Sequence, residues 1–242
     1  MYLYLLLNLG SLIIPLVYSF NKKMNFIKQW KSVFLAIFLV ATFFIIWDII
    51  FTANGIWGFN PDYHLPYKIA GLPIDEMLFF ICIPYASIFI HYSLEYFKPG
   101  LLLSEKTVIN TSILLLVLIA TVLFFNLDKW YTSVNYAILI VTLLIGFFYG
   151  KEILKRFYIA FMIILIPFFL VNGILTGSFI PEPVVWYNNS ENLGIRLFTI
   201  PVEDIGYAFN MLFWVVFLNE KFKELKLFQS VKYSKKLANH EQ

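Results

Sequence analysis

Cysteine is almost absent. Cys82 stands alone in 242 residues, which excludes an intrachain disulfide and a thiolate metal cluster. Charge is scarce as well: Asp, Glu, Lys and Arg make up 14% of the chain, against roughly a quarter in a soluble domain. A chain so poor in charge lacks the surface of a water-facing globule, and its apolar content excludes disorder. A Gly-rich nucleotide loop, a phosphate-binding P-loop and an Asp-x-x-Asp pair of the kind that holds magnesium pyrophosphate are all missing. His64 and His91 have no metal-ligand spacing and read as core or interface residues. No metal, no cofactor and no nucleic-acid partner is expected.

What fills the chain is apolar. Hydrophobic residues make up 60% and aromatics 20%, with 27 Phe and 15 Tyr, and the mean hydropathy is +0.77. This composition predicts a polytopic, all-α membrane protein. A bilayer crossing needs about twenty apolar residues, and seven such runs are visible, near 2–20, 33–52, 73–94, 107–126, 133–150, 157–177 and 201–219. The first has no basic residue before it, so it reads as an uncleaved helix and not as a signal peptide. With seven spans, 15 Lys and Arg residues fall on one side, from Lys22 to the tail after Lys221. Lys68, Lys129 and Arg196 alone fall on the other. Basic residues stay cytoplasmic, which predicts the N-terminus outside and the C-terminus inside. The tail alternates charge with apolar residues and reads as an amphipathic cytoplasmic end.

An internal repeat is present. A shift of 128 residues carries Phe51 onto Phe179, Phe59 onto Tyr187, Asn60 onto Asn188 and Phe79 onto Tyr207. It also carries Pro73-Ile74-Asp75-Glu76 onto Pro201-Val202-Glu203-Asp204 without a gap. The expected organisation is a three-helix unit over 1–96, a linker helix over 97–128, a second three-helix unit over 129–222 and a charged tail over 223–242. Four spans precede the second unit, so the two repeats should be parallel, with the loops 53–72 and 178–200 both on the outer face.

Those loops carry Trp47-Asp48, Phe51 through Pro61, and Pro181 through Asn189 followed by Gly194-Ile195-Arg196. They are too apolar for solvated loops. Irregular backbone at a membrane is tolerated only when buried in protein or lining a cavity, so they are expected to fold back as re-entrant or lid segments. Each delivers a proline and two acids to a helix start. Capping explains such acids in a soluble protein. Here apolar residues follow at once, and ionisable groups inside a span are functional candidates. Two neighbouring carboxyls in low dielectric share a proton, offering one acid and one base. Asp75, Glu76, Glu203 and Asp204 are therefore the candidate catalytic groups. Glu76 and Glu203 lead because glutamate reaches further. Arg196 pairs with Glu203 or Asp204, or else with Glu191, and Asp48 is either buried chemistry or a helix-end group.

These segments resemble the cofactor-free, heterodimeric-type bacterial lycopene cyclases, whose two subunits or fused halves each carry such loops and acids. The matching stretches run from Trp47 to Phe80 and from Val184 to Tyr207. One departure stands out: the first acid pair usually begins Glu-Glu, whereas here it is Asp75-Glu76, which favours Glu76 over Asp75. The resemblance implies two such halves fused in one chain and cyclisation of the acyclic ends of lycopene into rings, β-rings in the first instance. It also implies a carotenoid substrate drawn from the lipid bilayer, a bacterial inner-membrane location and association with other carotenoid enzymes. Trp47, Trp57, Phe59, Trp186 and Tyr187 are expected to stabilise a cation through their ring faces, with Asn60, Asn188 and Arg196 beside them. A transporter with pseudo-symmetric acids is the alternative from a different class, and an assembly scaffold is a further one.

Overall fold

The computed structural model describes residues 2–225; the part of the charged tail beyond Leu225 lies outside the described residues. Seven helices dominate: α1 (Leu3–Ser19), α2 (Trp30–Ala53), α3 (Ile74–Phe97), α4 (Glu105–Phe124), α5 (Trp130–Tyr149), α6 (Lys151–Leu175) and α7 (Glu203–Glu224), with a 3₁₀ turn at Phe26–Gln29 leading into α2. Each forms where an apolar run is long enough to satisfy its own backbone hydrogen bonds without water. The α2 to α6 segments are long and apolar enough to cross a membrane. At 17 residues α1 is shorter, and α7 carries acids at its start, Asn210 and Asn219 within it, and charges at its end.

Two helices occupy the centre. α3 touches α1, α2, α6 and α7, while α7 touches α2, α3, α5 and α6. α4 lies outermost against α5 and α6, burying only Val108 and Ser112. Rings fill much of the interior. Phe157, Phe209 and Phe213 meet at centroid separations of 5.2–6.1 Å, and Phe26 packs on Tyr85, Phe89 and Tyr92. At the end of α3 and α7 opposite the acid pairs, Asn219 Nδ2 donates to the Tyr92 hydroxyl at 2.6 Å, and that hydroxyl donates to Glu220. This polar clamp ties the two central helices.

The fold is not purely helical. The two loops form six short strands: β1 (Trp57–Phe59), β2 (Lys68–Ile69), β3 (Leu72–Pro73), β4 (Val185–Tyr187), β5 (Arg196–Leu197) and β6 (Ile200–Pro201). β2–β3 and β5–β6 are hairpins, closed through Ala70-Gly71 and Phe198-Thr199, and Ala70, Gly71 and Phe198 all take positive φ. β1 and β4 pair antiparallel across the two loops, with Trp57 opposite Tyr187 and Gly58 opposite Trp186. A Cβ at Gly58 would overlap the Trp186 ring, so this crossing requires glycine. The pairing is extended by Asn60 N donating to Val184 O at 2.8 Å and Asn188 N donating to Ile56 O at 2.9 Å. Backbone groups that would otherwise be orphaned near lipid are thereby satisfied. The loops pair into a joint cap over one end of the bundle, the lid-like of the two expected forms.

Candidate active site

The acids at the helix starts separate by position. Asp75 and Glu203, the first of each pair, are fully buried and turn back toward their own loops. Leu65 N donates to Asp75 Oδ2 at 2.8 Å, and Leu193 N donates to Glu203 Oε1 at 2.7 Å. Thr132 Oγ1 adds a second donor to Glu203 Oε1 at 2.7 Å. Asn8 and Asn135 donate to the backbone carbonyls of Asp75 and Glu203. These acids hold hairpin bases to helix starts, and neither lines the cavity described below.

The second acid of each pair, about 100° further round its helix, points the other way. Glu76 and Asp204 line a cavity of about 630 Å³ bounded chiefly by α1, α3, α6 and α7. The Tyr4 hydroxyl donates to Glu76 Oε2. Asp48, from α2, lines the same cavity as Glu76. Trp57 Nε1 donates to Asp48 Oδ1 at 2.5 Å, and Thr52 Oγ1 donates to the same oxygen at 3.1 Å. Asp204 accepts from the Tyr131 hydroxyl at 2.6 Å, the Tyr187 hydroxyl at 3.0 Å and Asn172 Nδ2 at 3.0 Å. Burial and then the charge of Asp204 push the Tyr187 phenol above its ordinary range, so it stays a donor.

Rings close around these carboxyls. Trp57 meets Tyr131 edge to face at 5.1 Å, and Tyr131 stacks on Tyr187 at 5.9 Å. Tyr207 lies 6.3 Å from Trp57 and 6.5 Å from Tyr131. Away from this end the lining is aliphatic and aromatic apart from Ser11 and Ser87. Proton donors, proton acceptors and π faces therefore converge at one end of an apolar chamber.

A scan against known protein families matches lycopene cyclase twice, over residues 1–94 and 128–222. The chain belongs to the lycopene cyclase family. No curated protein and no solved structure gave a match. Family membership makes this chain a carotenoid cyclase; the first matched region contributes the cavity-lining acids Asp48 and Glu76, and the second contributes Asp204.

The residues singled out from sequence take up different places around the chamber. Glu76, Asp204, Trp57, Phe59 and Tyr187 line the chamber. Trp47 stands behind it, its ring 4.9 Å from that of Tyr207, and Trp186 lies over Gly58 on the outer side, 44% exposed. Asn60 and Asn188 turn away from the chamber: Asn60 Oδ1 accepts from Asp62 N, and Asn188 Oδ1 accepts from Ser190 N. The expected ion pair of Arg196 is absent from the described residues. Its guanidinium donates instead to Thr199 O at 2.6 Å and Asn189 Oδ1 at 2.8 Å, and lies 5.7 Å from the Tyr187 ring centre. The hairpin carbonyl is nearer than any carboxylate, and it takes the donor. Glu191 accepts from Trp130 N at 3.2 Å, at the start of α5.

Sequence reasoning missed Tyr4, Tyr131, Asn172 and Tyr207 as site residues. A signal for the first two exists. A shift of 127, one less than the main repeat, carries Tyr4-x-x-x-Asn8 onto Tyr131-x-x-x-Asn135, and these four side chains serve the two acid pairs in the same way.

Proposed function

We propose that this chain cyclises the acyclic ψ ends of lycopene, or of a related linear polyene, to β-rings by proton transfer alone. The observation that carries the reading is the convergence of Glu76, Asp48 and Asp204 at the aromatic end of an otherwise apolar chamber. Buried carboxyls that line one apolar space cannot all ionise cheaply, so one of them holds a proton. Asp48 already accepts two donors and Asp204 three, which favours their anionic forms. Glu76, with a single hydroxyl donor, holds the proton.

Glu76 donates that proton to C2 of the substrate, leaving a cation at C1. The C5=C6 bond attacks, forming the C1–C6 bond and moving the cation to C5. Loss of the C6 proton to Asp204 or Asp48 restores a double bond between C5 and C6. Reactant and product are isomers, so the step is an intramolecular lyase or isomerase reaction with no net redox change. The ring faces of Trp57, Tyr131, Tyr187 and Tyr207 stabilise the cation, each by about 0.5–2 kcal/mol, and the loop cap keeps water from trapping it. Asp75 and Glu203 position the helix starts without touching substrate. Purified protein in liposomes given lycopene and nothing else is expected to yield ringed isomers by chromatography and mass spectrometry. Unchanged lycopene would overturn the proposal.

The same reading includes the membrane layout: seven spans in a bacterial inner membrane, with two parallel units over 1–96 and 129–222 fused through a linker helix over 97–128. In this layout the chain is a heterodimeric-type cyclase in a single polypeptide. The β1–β4 pairing, which puts both loops at one end, supports it. So does the charge split, which sets that end outside. An impermeant thiol reagent should label Asp62→Cys in intact cells and Lys98→Cys only after permeabilisation. Labelling of both from outside contradicts an odd number of crossings between the two positions.

A further inference from the structure

We propose that the polyene enters end-on from the lipid through a lateral slot between α1 and α6, and that the pseudo-equivalent slot between α5 and α2 is sealed from the acids, leaving one reaction chamber. This inference rests on the cyclase reading and adds where the substrate lies. The chamber reaches the protein surface along a rim of Leu6, Gly10 and Ile14 on α1 and Leu170 on α6. Leu6, Ile14 and Leu170 are 63%, 64% and 61% exposed, and a Cβ at Gly10 would meet nothing within 4 Å. Its floor is α3. Both Glu76 and Ile90 line it, and they are separated by about 21 Å at 1.5 Å per helical residue. An apolar trough of that length, parallel to the helices and open to lipid on one side, fits an extended hydrocarbon chain whose end group reaches the acids. The rest of the chain stays in the bilayer.

The repeat supplies an internal control. A second, wholly apolar cavity of about 480 Å³ lies among α2, α5 and α7. The 128-residue shift carries Ala86 and Ile90 of the chamber onto Trp214 and Leu218 of this cavity, and Asn172 onto Phe44. The 127-residue shift of the first helices carries Gly10 onto Ala137. The two slots are thus the same place in the two halves. Where the first has Ala86, the second has Trp214, fixed by Nε1 donating to Thr142 Oγ1 at 3.0 Å. Where the first has Asn172 bonded to Asp204, the second has Phe44, packed on Tyr207 at 4.9 Å and on Trp47 at 5.6 Å. No carboxylate lines the second cavity. Trp47, expected to act on the cation, belongs to this seal.

The test uses the full chain in liposomes. Gly10→Cys and Ala137→Cys both introduce small side chains at exposed helix positions, while native Cys82 is buried. Each variant is assayed for lycopene conversion before and after a bulky methanethiosulfonate reagent, with modification verified by mass. Modified Gly10→Cys should lose at least about tenfold in turnover at limiting lycopene, since filling the slot blocks binding, and a reductant should restore it. Modified Ala137→Cys should keep its turnover. As a second arm, Gly10→Trp should lower conversion in lycopene-producing cells and Ala137→Trp should not. Undiminished turnover in modified Gly10→Cys, or equal loss at both positions, overturns the slot. Wild-type protein that converts no lycopene overturns the cyclase reading instead.

Discussion

Glu76→Gln is expected to lower cyclisation by about 10²–10⁴-fold, the usual contribution of a positioned general acid, with the protein still folded in the membrane. The amide keeps the length of the side chain and still offers an oxygen to the Tyr4 hydroxyl that now reaches Glu76 Oε2. It cannot supply the acid proton proposed for Glu76. Turnover per mole of protein and the thermal midpoint, measured on the same liposome preparation, separate chemistry from folding. Near-normal turnover in this variant would remove Glu76 from the reaction.

The second large effect is a contrast within one pair. Asp204→Asn should lose about 10²-fold or more in turnover. It should also lose about 1–3 kcal/mol of stability, because an amide NH₂ placed among the Tyr131, Tyr187 and Asn172 donors leaves one of them unsatisfied. Glu203→Gln keeps the oxygen that accepts from Leu193 N and Thr132 Oγ1, so its folded molecules should turn over normally and only their stability should fall. Turnover assays normalised to folded protein read the difference. Equal loss of turnover in both variants would mean that the acid facing its own loop takes part in the chemistry.

That contrast also marks where the sequence was legible. Composition and charge-poor runs anticipate the seven helices of the described residues, because a long apolar run satisfies its own backbone best as a helix. The 128-residue shift finds both acid pairs, because the hairpin and helix start that carry them are built alike in both halves: Leu65 and Leu193 bond their acids identically. Which acid of a pair faces the cavity depends on helix phase against neighbours distant in sequence. The greater reach of glutamate points to Glu203, whereas phase selects Asp204. Asp48 escapes the symmetry argument because its counterpart is Thr176, and Tyr4 and Tyr131 escape it because the first helices are offset by one residue. The strand pairing of Trp57 with Tyr187 is three residues long, too short to show a period. Arg196 illustrates the remaining limit: charge suggests a carboxylate partner, and local backbone geometry provides a nearer acceptor.

We infer that a carboxyl proton, and nothing else, starts the ring. Purified protein in liposomes, given lycopene in heavy water without flavin, nicotinamide or metal, tests it most directly. The expected product carries one deuterium per ring at the C2 methylene, because the proton that enters at C2 comes from a carboxyl that has exchanged with solvent, whereas the one lost leaves from C6. Rings formed with no deuterium at C2 would mean that the proton is recycled from C6 by the donor carboxyl, and a strict requirement for an added redox cofactor would contradict proton-initiated cyclisation.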